Sequence, residues 1–195
     1  MTERKIRKLL LKSIPIETER LVLRYIKSDD ACDMFEYASK PEVCEYLLWS
    51  PHINLQATEG YIEFLQKRYM KGLYGDWAIE HKQDRKMIGT CGYASVDSYL
   101  STCEIGYVLS PDYRGQGYMT EAVKAVLELT FDILGLENAT LRIINENKAS
   151  KKLAEDVGFT LERIEYKEME IKGEYRDIAH YLMTKSEYER KKEAV

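Results

Sequence analysis

The stretch Glu104–Thr120 reads E-I-G-Y-V-L-S-P-D-Y-R-G-Q-G-Y-M-T and runs on into Glu121-Ala122. It divides into a strand, a tight turn and the opening of a helix. The turn carries Arg114-Gly115-Gln116-Gly117. Small residues there let backbone N–H groups come close to a bound anion, and the helix start adds the positive end of its dipole. The stretch is therefore a candidate phosphate cradle. Two common cradles are excluded. A P-loop needs G-x-x-x-x-G-K followed by Ser or Thr, and no such run follows Gly117. A dinucleotide fingerprint needs three glycines as G-x-G-x-x-G, and counting from Gly115 the third place is Thr120. A glycine pair alone is compatible with a plain structural turn. Arg114 before it, a helix after it and a β-like run ahead of it favour the cradle.

Arg114-Gly115-Gln116-Gly117-Tyr118-Met119 resembles Q/R-x-x-G-x-G/A, the acetyl-CoA pyrophosphate signature of the GNAT N-acetyltransferase superfamily. It matches at Arg114 and Gly117 and departs at Met119, which stands where the pattern has Gly or Ala. That place is at the helix start, where a larger side chain can point away from the phosphates. Asn147-Lys148-Ala149-Ser150 and Val157-Gly158-Phe159 are similar to the family's N-x-x-S/A and G-F segments. Upstream, Thr18-Glu19-Arg20-Leu21-Val22-Leu23-Arg24 resembles the first strand of the ribosomal-protein N-terminal acetyltransferase branch, and Tyr46-Leu47-Leu48-Trp49 resembles it more loosely. The resemblance covers roughly residues 14–185. It implies an α/β fold with a mixed, mostly antiparallel central sheet flanked by helices, in one domain over residues 1–195.

Bulk properties agree with a globular enzyme of ordinary size. A chain of 195 residues buries roughly 70% of its unfolded surface. Hydrophobic residues make up 45% and charged residues 32%, which argues against disorder. Against 29 basic residues stand 33 acidic ones, net −4, which argues against nucleic acid as the main partner. That charge fits a cationic substrate and is equally ordinary for a cytoplasmic protein. Cys32, Cys44, Cys91 and Cys103 form no C-x-x-C pair and show no metal-ligand spacing with histidine, so free thiols in a reducing, cytoplasmic setting and no metal are expected. Leu9-Leu10-Leu11 is too short an apolar run for a signal peptide, and no stretch approaches the roughly 18 residues of a membrane span, so no membrane is expected.

Along the chain, Leu21–Ile26 alternates as a strand. Ser28 is placed to cap a helix running to about Ser39 and ended by Pro41, and a second helix runs from about Gln56 to Met70 with Gly72 just past its end. Trp77–His81 and Met87–Val96 read as a hairpin turning at Asp84, and Thr102–Leu109 is the strand that leads into the cradle. The next helix carries Val123, Val126, Leu127, Thr130, Phe131 and Leu134 and ends at Gly135. Ala139–Ile144 is a strand, a short helix runs from Asn147 to Gly158, and Phe159–Ile171 with Asp177–Met183 closes the fold as a hairpin turning at Gly173. The charge run Glu187–Lys192 reads as a solvated tail.

Acetyl transfer from a thioester to an amine needs a neutral amine, a positioned thioester and a stabilised thiolate. Backbone groups at Val108 and Leu109 are placed to pair with the pantetheine arm like an added strand. The N–H groups of Arg114, Gly115, Gln116, Gly117, Tyr118, Met119 and Thr120 are expected to meet the pyrophosphate. By the resemblance, Glu104 is the candidate base, relaying a proton through water. It shares a strand face with Gly106 and Val108, opposite Ile105 and Tyr107, and a surface or salt-bridged Glu is an equal reading. Asn147 resembles the family's cofactor-side Asn, and Asn also suits a helix N-cap. Ser150 is placed to donate near the sulfur, or is a solvated helix Ser. The resemblance implies a Tyr acid seven residues after Asn147, where this chain has Ala154. Trp49, Tyr46 and Pro51 are candidates for an acceptor-pocket wall, with ordinary core packing as the alternative for Trp49. His52, His81 and His180 are apart in sequence and read as structural.

The expected function is acetyl-CoA-dependent N-acetylation of a primary amine, by resemblance a protein N-terminal α-amine. A small-molecule amine acetyltransferase and a catalytically silent acyl-CoA-binding module remain as alternatives, and a homodimer is left open. Energetics favour an α-amine over a lysine side chain as the acceptor. Neutralising an α-amine of pKa about 7.7–8.0 at pH 7 costs about 1 kcal/mol, whereas a lysine amine near 10.4 costs about 4.6 kcal/mol.

Overall fold

Leu21 and Leu23 are fully buried while Val22 and Arg24 between them are half-exposed, the period-two signature of a strand with one face on a core. The same logic organises the rest of the chain. A computed structural model describes residues 2–71 and 73–193. Its elements are α1 (Glu3–Ser13), β1 (Ile16–Glu17), β2 (Leu21–Arg24), α2 (Ala31–Ala38), α3 (Pro41–Cys44), α4 (Leu55–Met70), β3 (Asp76–His81), β4 (Lys86–Asp97), β5 (Thr102–Leu109), α5 (Tyr118–Glu128), β6 (Asn138–Ile144), α6 (Lys148–Val157), β7 (Thr160–Ile171), β8 (Glu174–Thr184) and α7 (Lys185–Glu193).

Among the described residues eight strands form one sheet in the order β1-β2-β3-β4-β5-β6-β8-β7. Every neighbouring pair is antiparallel except β5–β6, which is parallel. The mixed, mostly antiparallel sheet flanked by helices that the sequence predicts is the fold observed. On one face Ile6 and Leu10 of α1, Val123 and Val126 of α5 and Ala154 of α6 pack against Leu23, Ile79, Ile105 and Leu141. On the other, Met34 and Tyr37 of α2, Val43 of α3 and Ile62 and Leu65 of α4 pack against Ala78 and Met87, with Val108 beside them.

Several local expectations need correction. Ser28 does not cap a long helix. A single 3-10 turn covers Ser28–Asp30, and the Asp30 carboxylate takes the Lys27 N–H at 2.7 Å before α2 begins at Ala31. Pro41 does not end that helix but starts α3, as its fixed φ suits the first helical turn. After α5 the chain widens into one π-helical stretch, Leu129–Ile133, before Gly135 turns it at φ +62°. β8 starts at Glu174 rather than Asp177. The expected cap at Gly72 lies outside the described residues.

The charge run is not a free tail either. It lies in α7, where Tyr188 stacks on Phe131 at 4.8 Å and both Tyr188 Oη and Lys192 Nζ reach Asp132, at 3.0 and 2.7 Å. Lys191 Nζ also donates to the Gly158 carbonyl at 2.6 Å, so one aromatic ring and a few side-chain hydrogen bonds dock a helix with almost no apolar face. The N-terminal α1 was also missed: Ile6 and Leu10, four apart, are its buried stripe.

Candidate active site

The cradle forms where β5 meets α5. Gly115 and Gly117 sit in the left-handed region at φ +75° and +81°, and Gly117 is the N-cap of α5. Glu121 N–H donates to the Gly117 carbonyl at 3.0 Å as the first intrahelical bond, so the N–H groups of Tyr118, Met119 and Thr120 have no acceptor within their own helix. A Cβ built on Gly115 would meet nothing within 4 Å, and one on Gly117 would meet Arg20 Nη2 at 3.5 Å. The fold leaves open the space in front of these residues, as a loop that receives an anion requires. Met119 is buried in the core, which explains how this chain departs from the pattern without closing the cradle. Arg114 and Gln116 are exposed at the rim.

The cradle is braced from the turn between β1 and β2. Arg20 Nη1 donates to the Gln116 carbonyl at 2.9 Å, its Nε to Glu121 Oε2 at 2.7 Å, and its guanidinium lies 4.4 Å from the centre of the Tyr118 ring. Thr18 Oγ1 donates to Glu121 Oε1 at 2.6 Å. Burial opposes ionisation of Glu121, but these bonds from Thr18 and Arg20 prevail and hold its carboxyl below the ordinary range. Thus Thr18 and Arg20 of the opening T-E-R segment fix the loop rather than touch the chemistry.

Next to the cradle the sheet parts. β5 and β6 pair only from Thr102↔Asn138 to Glu104↔Thr140, although β5 continues to Leu109 and β6 to Ile144. On its other side β5 stays paired with β4 through Leu109. Ile105–Leu109, including Val108 and Leu109, therefore present one free backbone edge to the gap. Such an edge can accept an extended chain as an added strand. A bulge in β4 between Tyr93 and Ser95 leaves Ala94 without a partner opposite Glu104 and Ile105, beside the point of parting. Glu104 is the last paired residue there. It faces the α2–α4 side with Gly106 and Val108, and its Oε1 accepts from Arg142 Nε at 3.0 Å across the gap.

On the opposite face α6 starts beside the gap. Asn147 Oδ1 accepts from Ser150 N–H at 3.1 Å, so Asn147 is the N-cap of α6. Ser150 Oγ lies 2.7 Å from Tyr107 Oη, and this hydroxyl pair was not foreseen. Alternation alone showed Tyr107 opposite Glu104; that its phenol reaches α6 depends on how α6 packs. Burial pushes the Tyr107 phenol well above the tyrosine range, outweighing its hydrogen bond with Ser150, so it keeps its proton at neutral pH. Ala154 is fully buried and supplies no polar group.

Comparison with known proteins agrees with this geometry. Residues 20–160 match the Acetyltransf_3 family, an acetyltransferase (GNAT) domain. The chain is 30% identical to the uncharacterized N-acetyltransferase p20 of Bacillus licheniformis over 88% of this chain and 96% of that one. The chain belongs to the GNAT acetyltransferase family. It is an acetyl-CoA-dependent N-acetyltransferase. Among solved structures, a GCN5-related N-acetyltransferase from Brucella melitensis superposes with TM-score 0.83 at 24% identity, covering 92% of this chain and 82% of that one. A ribosomal-protein-S5-alanine acetyltransferase from Vibrio fischeri superposes with TM-score 0.76 at 22% identity, covering 88% and 97%. These last two share the fold.

For a GNAT acetyltransferase, the face of the gap that carries Glu104 is walled by aromatic residues of the α3–α4 segment. Trp49 and His52 lie 5.2 Å apart, and His52 and Tyr61 5.9 Å apart. Tyr46 instead packs with Ile144, Ile171 and Ile178 beyond the gap. The sequence-predicted wall residues Tyr46 and Trp49 thus flank the gap from two separate clusters, and Pro51 is half-exposed next to Trp49. On the same face His180 Nε2 lies 2.5 Å from Glu168 Oε2, with Glu165 close by. β7 is interrupted here between Glu165 and Met169, which is why spacing along the chain did not bring these three together. Among the described residues no helix is long and apolar enough to cross a membrane.

Proposed function

We propose that this acetyltransferase modifies the N-terminal α-amine of a protein or peptide. The observation that carries the reading is the parted β5–β6 edge with the Glu104 carboxylate beside it on one face and the Ser150–Tyr107 hydroxyls on the other. One water-relayed carboxylate is enough for an amine that costs about 1 kcal/mol to neutralise, and it falls short of the roughly 4.6 kcal/mol of a lysine. The likeness to a ribosomal-protein acetyltransferase supports the same choice.

The proposed division of labour is as follows. Acetyl-CoA supplies an activated acyl group. The free edge at Val108 and Leu109 pairs with its pantetheine arm. The N–H groups from Gly115 to Thr120, with Arg114 at the rim, hold its pyrophosphate. Glu104 accepts the proton that the amine loses as its nitrogen forms the amide bond. As the carbon–sulfur bond breaks, Ser150 Oγ donates to the leaving sulfur, and Tyr107 Oη holds Ser150 and can replace its proton. The start of α6, capped by Asn147, adds a positive dipole end near the developing thiolate. Tyr107 thereby answers the absence of a tyrosine at Ala154.

The test offers two peptides of one sequence, one with its N-terminus blocked and one with its lysines blocked, and mass spectrometry locates the acetyl group. Acetylation of the free N-terminus is expected. Modification confined to lysine overturns the reading.

A further inference from the structure

β6 is an inner strand, with β5 on one side of it in the sheet and β8 on the other. Of its seven residues only Arg142 is exposed. Leu141 and Ile143, on either side of it in sequence, are buried in the core of the α5–α6 face. By alternation the Arg142 side chain is on the α2–α4 face, with Glu104. An exposed residue in the middle of a sheet means that the helices of that face leave it uncovered there. The uncovered spot is at the foot of the gap. Arg142 is two residues past Thr140, the last residue of β6 to pair with β5. Solvent therefore reaches the sheet beside the candidate base.

The guanidinium at that spot is only partly used. Its Nε donates to Glu104 Oε1 at 3.0 Å, and among the described residues Nη1 and Nη2 have no hydrogen-bond partner. Arg24 is the contrast. It gives Nε to Glu80 and both terminal nitrogens to Asp30, and its side chain is 12% exposed against 38% for Arg142. A guanidinium that holds a fold together is spent in that way. The acids on the neighbouring strands do not claim Arg142. His180, its register partner on β8, takes Glu168, and Arg163 takes Glu165. Four of the five N–H donors of Arg142 are left for something that arrives from solution.

A carboxylate next to a guanidinium with free donors matches one chemical unit. In an α-amino-acyl group the bond lengths along N–Cα–C=O put the carbonyl oxygen about 3 Å from the amine nitrogen. Glu104 and Arg142 are themselves neighbours at 3.0 Å, so one such unit can meet both, amine to carboxylate and carbonyl to guanidinium. We propose that Arg142 is a specificity-determining residue: its terminal N–H groups hold the carbonyl oxygen of the acceptor's first residue while the α-amine of that residue loses its proton to Glu104. This rests on the reading that an α-amine is acetylated beside Glu104. The fork selects amines that have a carbonyl one carbon away, as in a peptide N-terminus or a free amino acid. It selects against a lysine side chain or a polyamine, which leave the guanidinium unpaired.

The experiment uses two peptides of one sequence, each carrying an internal lysine. One is natural, and the other has an E-alkene in place of the first amide, which keeps the shape of the chain and removes the carbonyl. Free-thiol release gives kcat/KM, referred to the neutral amine through pH profiles because the two amines differ in pKa, and mass spectrometry locates the acetyl group. Wild type is expected to favour the natural peptide by about 10–100-fold, as for one hydrogen bond from a charged donor. Arg142→Met should bring that ratio close to one. Arg142→Lys keeps a positive charge beside Glu104 but has no fork, and should lower the ratio part of the way; it supplies the readout if Arg142→Met does not fold. The ratio cancels any change in Glu104, which serves both peptides alike. A wild-type ratio near one, or a ratio unchanged in the variants while both rates fall together, overturns the proposal and makes Arg142 a prop for Glu104, with the α-amine reading intact. Acetylation of the lysine alone sinks that reading and this proposal with it. Turnover of free alanine in preference to the natural peptide, lost in Arg142→Met, moves the acceptor to a free amino acid and leaves Arg142 standing.

Discussion

Replacing Gly117 by Val tests the cradle, and Gly135 supplies a built-in control. Both glycines are in the left-handed region, at φ +81° and +62°, at opposite ends of the segment that begins with α5. A side chain in that region costs roughly 1–2 kcal/mol at either position. For a domain of this size that lowers Tm by about 2–8 °C, leaving a folded protein to assay. Neither Cβ is crowded: Gly135 has nothing within 4 Å and Gly117 only Arg20 Nη2 at 3.5 Å. The two substitutions should therefore cost the apo fold similar amounts. They differ in what stands in front of them. At Gly117 the added methyls occupy the space in which a pyrophosphate approaches the N–H groups of Tyr118, Met119 and Thr120. Losing two charge-assisted hydrogen bonds, each about 1.5–3 kcal/mol, amounts to roughly 3–6 kcal/mol, or more than a hundredfold in affinity. Calorimetry with acetyl-CoA should show that loss in Gly117→Val and none in Gly135→Val. Equal affinities in two folded variants would refute the reasoning.

Glu104→Gln should slow the enzyme about five- to tenfold at pH 7, the equivalent of the roughly 0.7–1.0 pKa unit by which an α-amine of about 7.7–8.0 lies above that pH, and recover towards pH 9. A pH–rate profile with the same deficit at every pH would make Glu104 structural, a partner of Arg142 and no more. Tyr107→Phe and Ser150→Ala should each slow transfer by about 10–100-fold, and the double variant should be little worse than either single one, because both act on one proton. Acetyl thioesters of more acidic thiols should restore much of the rate in both. Equal losses with good and poor leaving groups would reduce the pair to packing.

How much could be read from the chain depended on whether a signal was local. The strand into the cradle and the short helix between Asn147 and Gly158 were placed almost to the residue, because turn chemistry and alternation act within a few positions. α7 was taken for solvent because its stripe is a single residue, Tyr188, whose partners Phe131 and Asp132 lie far away in sequence. Ser28 looked like a cap because its residue type is right, but the Asp30 carboxylate does more. It accepts the Lys27 N–H and pairs with both terminal nitrogens of Arg24, at 2.8 and 2.7 Å, joining β2 to the start of α2.

The site divides in the same way. Its donor half is one continuous segment, so glycine spacing and residue order revealed it. The parts proposed to act on the acceptor and on the leaving sulfur come from register. Tyr107 meets Ser150 across 43 positions of sequence, and Glu104 reaches Arg142 because β5 and β6 still pair at Glu104↔Thr140. A one-residue slip between β5 and β6 would turn Arg142 away from Glu104. The β4 bulge is such a one-residue offset, and it falls between the Gly92↔Gly106 pair and the Ser95↔Glu104 pair. Glu104 and Gly106 thus stay on the acceptor face of their own strand, while β4 passes one extra residue, Ala94, between their partners. Deleting Ala94 would leave Gly92, Tyr93 and Ser95 opposite Gly106, Ile105 and Glu104 in unbroken register, so both pairs would survive and only the local bend and twist of the bulge would be lost. The bulge therefore sets the local twist of the sheet beside Glu104, at the point where β5 and β6 part, and not the side on which Glu104 stands; an Ala94 deletion that folds and keeps its activity would show that this twist is dispensable.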